Sequence, residues 1–166
     1  MKERLYKYKD PTLPIDVRVA DLMDRMTVQE LVAQTISVGR ATLIPDPEQQ
    51  KKVLDSGEIS DPELIRSLKF GMGSFQLPGR ELSAGDSARY RNILQKHLLE
   101  NTRLGIPALS QEEGLNGHLA KGATVFPKPI AMASSFDPNL VNQVYSAIGR
   151  EIRARGGHQV FTPVLD

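Results

Sequence analysis

The chain has no cysteine. Disulfides and thiolate metal sites are therefore excluded, while the redox compartment stays open. Tryptophan is also absent and aromatics make up only 5% of the residues, so a free-standing carbohydrate-binding module built on a stacking platform is not expected. No charge dominates: 21 Lys and Arg stand against 20 Asp and Glu. That balance argues against a nucleic-acid binder driven by overall basic charge and against a long acidic tail. No run approaches the ~20 apolar residues of a membrane span. The start, Met1 to Asp10, lacks the apolar core of a secretory signal. The expected location is cytoplasmic, or secreted or periplasmic if a leader precedes Met1. Solenoid repeats, low-complexity tracts, the Rossmann glycine spacing and the P-loop spacing are all missing.

What is present reads as helices followed by alternating strands and helices. Pro11 and Pro14 oppose helix in a charged lead-in. A first helix is expected from Asp16, with Val17, Ala20, Leu22, Met23 and Met26 as its stripe. Thr27-Val28-Gln29-Glu30 has capping-box spacing and predicts a second helix from Val28 to Thr35. Residues 37–61 read as an irregular surface insertion. Asp61-Pro62 opens a short helix over 63–69. Residues 71–78 then read as a first strand.

The spacing predicts a long helix over 87–102, with Tyr90, Ile93, Leu94, His97 and Leu98 on one face. His97 has no partner at metal spacing, so it reads as packed or half-exposed. Residues 106–110 read as the second strand. Asp137-Pro138 starts a helix with Leu140, Val141, Val144, Ile148 and Ile152 facing inward, and Gly156-Gly157 ends it. A third strand from Gln159 ends on Asp166, and a strand ending on a carboxylate is a common way to build the mouth of an α/β barrel. Such a barrel needs about eight strand–helix units and roughly 250 residues. The pattern here supplies about three units.

The densest chemistry lies between Arg103 and His118. An apolar strand runs into Glu112 and Glu113, then into a glycine-rich turn with Asn116 and His118. Adjacent strand residues point to opposite faces, so the two carboxylates cannot share one site while the strand stays regular. One faces the mouth and the other faces the shell or solvent. They are not the acid and nucleophile pair of a glycosidase, which stand about 5 to 9 Å apart across a bond. One substrate-gripping carboxylate fits better; solvated loop charges are the bland alternative. His118 by itself reads as a loop residue or a support for its neighbours.

The run Leu104-Gly105-Ile106-Pro107, Glu113-Gly114-Leu115-Asn116-Gly117, Gly122-Ala123-Thr124-Val125-Phe126-Pro127 and Phe136-Asp137-Pro138-Asn139-Leu140-Val141 strongly resembles the N-terminal domain of glycoside hydrolase family 3. Met26 to Gln34 looks like that family's opening helices, and Phe161 to Asp166 like its next strand. The resemblance covers nearly the whole chain, and the Gly-Ala-Thr-Val-Phe-Pro block is its most specific part.

The resemblance implies an α/β fold: the N-terminal portion, about three strand–helix units, of a TIM-type (β/α)8 barrel. Residues 1–166 would be a partial barrel domain, without the rest of the barrel or the α/β sandwich domain that usually follows. Members are retaining exo-acting β-glycosidases that work by double displacement through a covalent glycosyl-enzyme. They take oligosaccharides or aryl glycosides and require no metal or organic cofactor; no nucleic acid or membrane partner is implied.

Glu113 matches the acidic residue that grips hydroxyls of the non-reducing-end sugar. Many family glucosidases carry Asp there and β-xylosidases often carry Glu. The extra methylene pushes the carboxylate into the space of a hexose hydroxymethyl group, so β-xylosidase is favoured over β-glucosidase. Asn116 stands where many relatives have His. Residues 122–127 read as shaping the turn behind the site, and Asp166 as lying at the mouth.

The family nucleophile is an Asp in a Ser-Asp-Trp-like context, and the acid/base residue comes from a later loop or domain. Neither context occurs in this sequence, so no catalytic residue is assigned and the chain is expected to be inactive alone. A non-catalytic sugar-binding or interaction remnant is the alternative. A third possibility is an unrelated small α/β enzyme using Glu112, Glu113 and His118.

Overall fold

The computed structural model describes residues 6–39, 43, 46–76 and 80–163. Its centre is a four-stranded parallel sheet in the order β1 (Ser37–Val38), β2 (Ser74–Gln76), β3 (Leu109–Glu113) and β4 (Gln159–Phe161). Sequence order equals spatial order, with helices in every crossover, which is the arc of a (β/α) barrel rather than a doubly wound sheet. Helices α1 (Ile15–Met23) and α2 (Val28–Thr35) precede β1. Helices α3 (Pro47–Ser56) and α4 (Pro62–Ser67) lead to β2. Helix α5 (Ala84–Asn101) leads to β3, and α6 (Pro129–Ala133) and α7 (Pro138–Ala154) lead to β4.

Several boundaries differ from the sequence reading. The described residues between 37 and 61 are not an irregular insertion, since they include β1 and α3. Ser37 and Val38 pair with β2, so the strand expected first is the second, at Ser74–Gln76, and the sheet has one strand more than expected; Leu77 and Pro78 lie outside the described residues. Helix α3 starts at Asp46-Pro47, where the Asp46 side chain accepts from Glu48 N, and ends on the left-handed Gly57 (φ 75). Its Gln50, Val53 and Leu54 are buried. The expected strand at 106–110 lies further along, at Leu109–Glu113. Gly105 has φ 62 and Pro107 has no N–H, so ladder pairing waits until Leu109. Both glutamates thus belong to the strand itself. Helix α5 begins at its Ser83 cap, which accepts from Asp86 N, rather than at Ser87. The short α6 has no counterpart in the sequence reading.

The capping box holds: Thr27 Oγ1 accepts from Glu30 N, and Glu30 accepts from Thr27 N at 2.8 Å. Glu30 also receives Arg103, which follows α5, and this guanidinium lowers the carboxylate pKa to about 2.

The two faces of the sheet differ in chemistry. Phe75, Ser110 and Glu112 point into the helix layer and are at most 1% exposed. The core around Phe75 takes Leu64 from α4, Leu68 and Met72 from just after it, and Tyr90, Leu94 and Leu98 from α5. The opposite face carries a polar row. Ser37 Oγ donates to Gln111 Oε1 at 3.0 Å, and Gln111 Nε2 donates to Gln159 Oε1 at 2.9 Å. On α7 only Ile148 and Ile152 are buried; Val141 and Val144 are half-buried and Leu140 is exposed, short of the inward stripe expected. Helix α1 has no buried residue. Among the described residues, no helix is long and apolar enough to cross a membrane.

Candidate functional site

The approach to β3 is held before the strand begins. Tyr8 donates its hydroxyl to Leu104 O at 2.6 Å. The Gln95 amide clamps Ala108 in both directions, giving Nε2 to its carbonyl at 2.6 Å and accepting its N–H at 3.1 Å. From there the strand alternates. Ser110 and Glu112 enter the helix layer, while Gln111 and Glu113 lie on the polar face.

Glu112 is 1% exposed and both its oxygens are used. Oε1 accepts from Arg91 Nη2 of α5, and Oε2 pairs with His118 Nε2 at 2.9 Å. Arg91 spreads further: its Nε donates to Ser110 Oγ at 3.1 Å, and its Nη1 donates to the Ser87 hydroxyl and to Arg155 O at 2.9 Å. Burial and the nearby Arg155 lower the Arg91 pKa to about 10, so it stays charged at neutral pH. Burial, then Arg155, Arg91 and Arg80, push His118 down to about 4. A neutral His118 places its proton on Nε2, facing the carboxylate, and leaves Nδ1 without a partner among the described residues.

Glu113 occupies a different environment. It is half-buried, on the polar face, at the last residue of β3 and in register with Phe161 of β4. The C-terminal strand ends are where barrels of this kind place their substrate. The turn beyond is tight. A Cβ on Gly114 would meet Val160, Ile152 and Ile148, and one on Gly117 (φ 113) would run into the Thr124 carbonyl. Asn116 is pinned across to Phe126, whose N–H donates to Asn116 O at 2.8 Å. Thr124 donates its N–H to Glu151 of α7 at 3.0 Å. The 122–127 block therefore braces the turn from outside.

The structure joins Glu112 to His118 and separates both from Glu113, so these three do not form one catalytic site. His97 is half-buried in a groove between α5 and the segment that carries Ile65 and Lys69, away from the strand ends. Asp166 lies outside the described residues. Sequence reasoning missed Arg91, although a cation within the buried stripe Ser87, Tyr90, Leu94, Leu98 of α5 signals a buried counter-charge. It also missed the Ser37, Gln111, Gln159 row, which only the register reveals. Among the described residues, no group of three or more His, Cys, Asp or Glu side chains could hold a metal ion.

A parallel arc of strands, helices on its outer side and a carboxylate at the strand C-termini define the first part of a TIM-type barrel. The chain belongs to glycosyl hydrolase family 3, whose N-terminal domain model matches residues 61–166. A protein of Formosa agariphila named provisionally as a β-xylosidase is 37% identical over 159 residues, covering 96% of this chain and 20% of that protein. β-Glucosidase C of Emericella nidulans is 26% identical over 99% of this chain and 26% of its own length. Among solved structures, a β-glucosidase from Erythrobacter marinus superposes with a TM-score of 0.73 at 32% identity, over 96% of this chain and 20% of that one. The chain spans about a fifth to a quarter of the length of these relatives.

Proposed function

We propose that this chain forms the first part of the substrate-binding barrel of a retaining exo-acting β-glycosidase. In this reading Glu113 accepts hydrogen bonds from hydroxyls of the terminal sugar, and residues elsewhere in the polypeptide supply the nucleophile and the acid/base group. The observation that carries the reading is the divergence of the two glutamates. Glu112 is consumed by Arg91 and His118 inside the helix layer, which leaves Glu113, of these two glutamates, as the carboxylate at the end of β3 on the open face. A carboxylate accepting sugar hydroxyls makes charge-assisted bonds, stronger than neutral ones.

The sugar preferred is a pentose, so the activity is that of a β-xylosidase rather than a β-glucosidase. The side-chain length of Glu113 supports this, as does the 37% identity to a relative named for that activity. The β-glucosidases among the relatives are the competing reading. The test is kcat/KM of the full-length polypeptide on nitrophenyl β-xyloside and β-glucoside. A higher value for the xyloside is expected; a higher value for the glucoside overturns the sugar assignment, and turnover of neither overturns the enzyme. Reading the coding DNA beyond the Asp166 codon separates the enzyme from a sugar-binding remnant. The enzyme requires a continuing frame with a Ser-Asp-Trp-like segment, and a stop codon there favours the remnant.

A further inference from the structure

Glu112 is a charged side chain on the strand face that packs against helices, at 1% exposure. Stability alone is a poor reason for such a group, because a buried ion pair is often no better than apolar side chains of similar volume. What a fully bonded buried carboxylate supplies is fixed geometry. Here it ties three segments together: α5 through Arg91, β3 through its own backbone, and the following turn through His118 at 2.9 Å. Arg91 extends the tie to the end of α7 through Arg155 O at 2.9 Å.

Glu113 lies between two immobilised neighbours. On one side the Glu112 side chain is anchored at both oxygens. On the other, Gly114 sits so close to Val160, Ile152 and Ile148 that a side chain has no room. The peptide carrying Glu113 is therefore held from the shell side of the sheet, while its carboxylate looks out from the other side.

We propose that Glu112 is a positioning residue: the Arg91–Glu112–His118 cluster sets the strand end and turn that present the Glu113 carboxylate to the substrate. The proposal rests on the reading of Glu113 given above, and its test separates the two. In the full-length polypeptide, Glu112→Gln leaves Arg91 buried without its counter-charge. Misplacing Glu113 by about 1 Å is expected to lower kcat/KM ten- to a hundredfold. The same substitution made on a Glu113→Gln background should cost nothing further, because its effect passes through a carboxylate that is already gone.

His118→Ala removes one neutral donor and keeps the ion pair, so it serves if Glu112→Gln fails to fold. Its loss should be smaller and should likewise vanish on the Glu113→Gln background. Multiplying effects, or wild-type kcat/KM in a variant that only melts earlier, overturn the positioning role. If Glu113→Gln itself leaves kcat/KM unchanged, the reading of Glu113 fails. Crystal structures of wild type and Glu112→Gln then decide the proposal on their own. A displaced Glu113 carboxyl supports it, and one within about 0.3 Å of its wild-type position, inside the scatter of a rigid packed site, overturns it.

Discussion

Glu112 and Glu113 are neighbours in the chain but face opposite sides of the sheet. Glu112 is buried against Arg91 and His118, and Glu113 ends β3 in register with Phe161. This divergence separates a buried, ion-paired carboxylate from one at the end of β3 on the opposite face.

Shortening the outward carboxylate should change sugar choice. Glu113→Asp withdraws the group by one methylene and opens space for a hexose hydroxymethyl. In the full-length polypeptide the ratio of kcat/KM for β-glucoside to that for β-xyloside should rise by about tenfold, the usual worth of one methylene in a pocket. An unchanged ratio removes the steric argument.

The 166-residue chain itself should release no nitrophenol from aryl β-xylosides or β-glucosides, because the sequence contains no Ser-Asp-Trp-like nucleophile segment. Steady turnover by the purified chain, abolished by substituting a residue within it, contradicts this assignment.

Acid should weaken the fold in two stages. His118 has its pKa lowered to about 4, so between its ordinary value and 4 the unfolded chain binds a proton that the folded chain refuses. Stability therefore falls as pH drops through that window. Glu30, lowered to about 2 mainly by Arg103, contributes stability above its ordinary pKa that is lost as pH falls toward 2. His118→Asn should flatten the upper stage in a urea titration followed by circular dichroism. A wild-type slope in that variant contradicts the assignment.

Gly114→Ala should destabilise the fold by about 1–3 kcal/mol, the usual cost of forcing a methyl into a filled core. The new Cβ would meet Val160 at 2.5 Å and Ile152 at 3.2 Å. Urea midpoints of the two proteins check this, and equal midpoints would mean that α7 and β4 yield freely.

Much of this architecture was legible because local chemistry and tertiary role agree. Thr27 with Glu30, Asp61-Pro62 and Asp137-Pro138 all start helices where the capping patterns place them. Asp46-Pro47 carries the same signal, yet the polar run around it reads as a loop, and the buried Gln50, Val53 and Leu54 become evident only once they meet the core. The β3 register was hidden because Gly105 and Pro107 delay pairing in an apolar run that looks like strand throughout. The opposite facing of Glu112 and Glu113 follows from strand alternation alone. Which of them faces the helices does not, because that depends on Arg91, 21 residues away on α5.

The role proposed for the Glu113 carboxylate is to hold the sugar. The most direct measurement is kcat/KM of Glu113→Gln against wild type on nitrophenyl β-xyloside, in the full-length polypeptide and with Tm recorded for both. Losing charge-assisted bonds to sugar hydroxyls should lower kcat/KM by at least about tenfold while Tm stays near wild type. A wild-type kcat/KM in the folded variant would contradict the account.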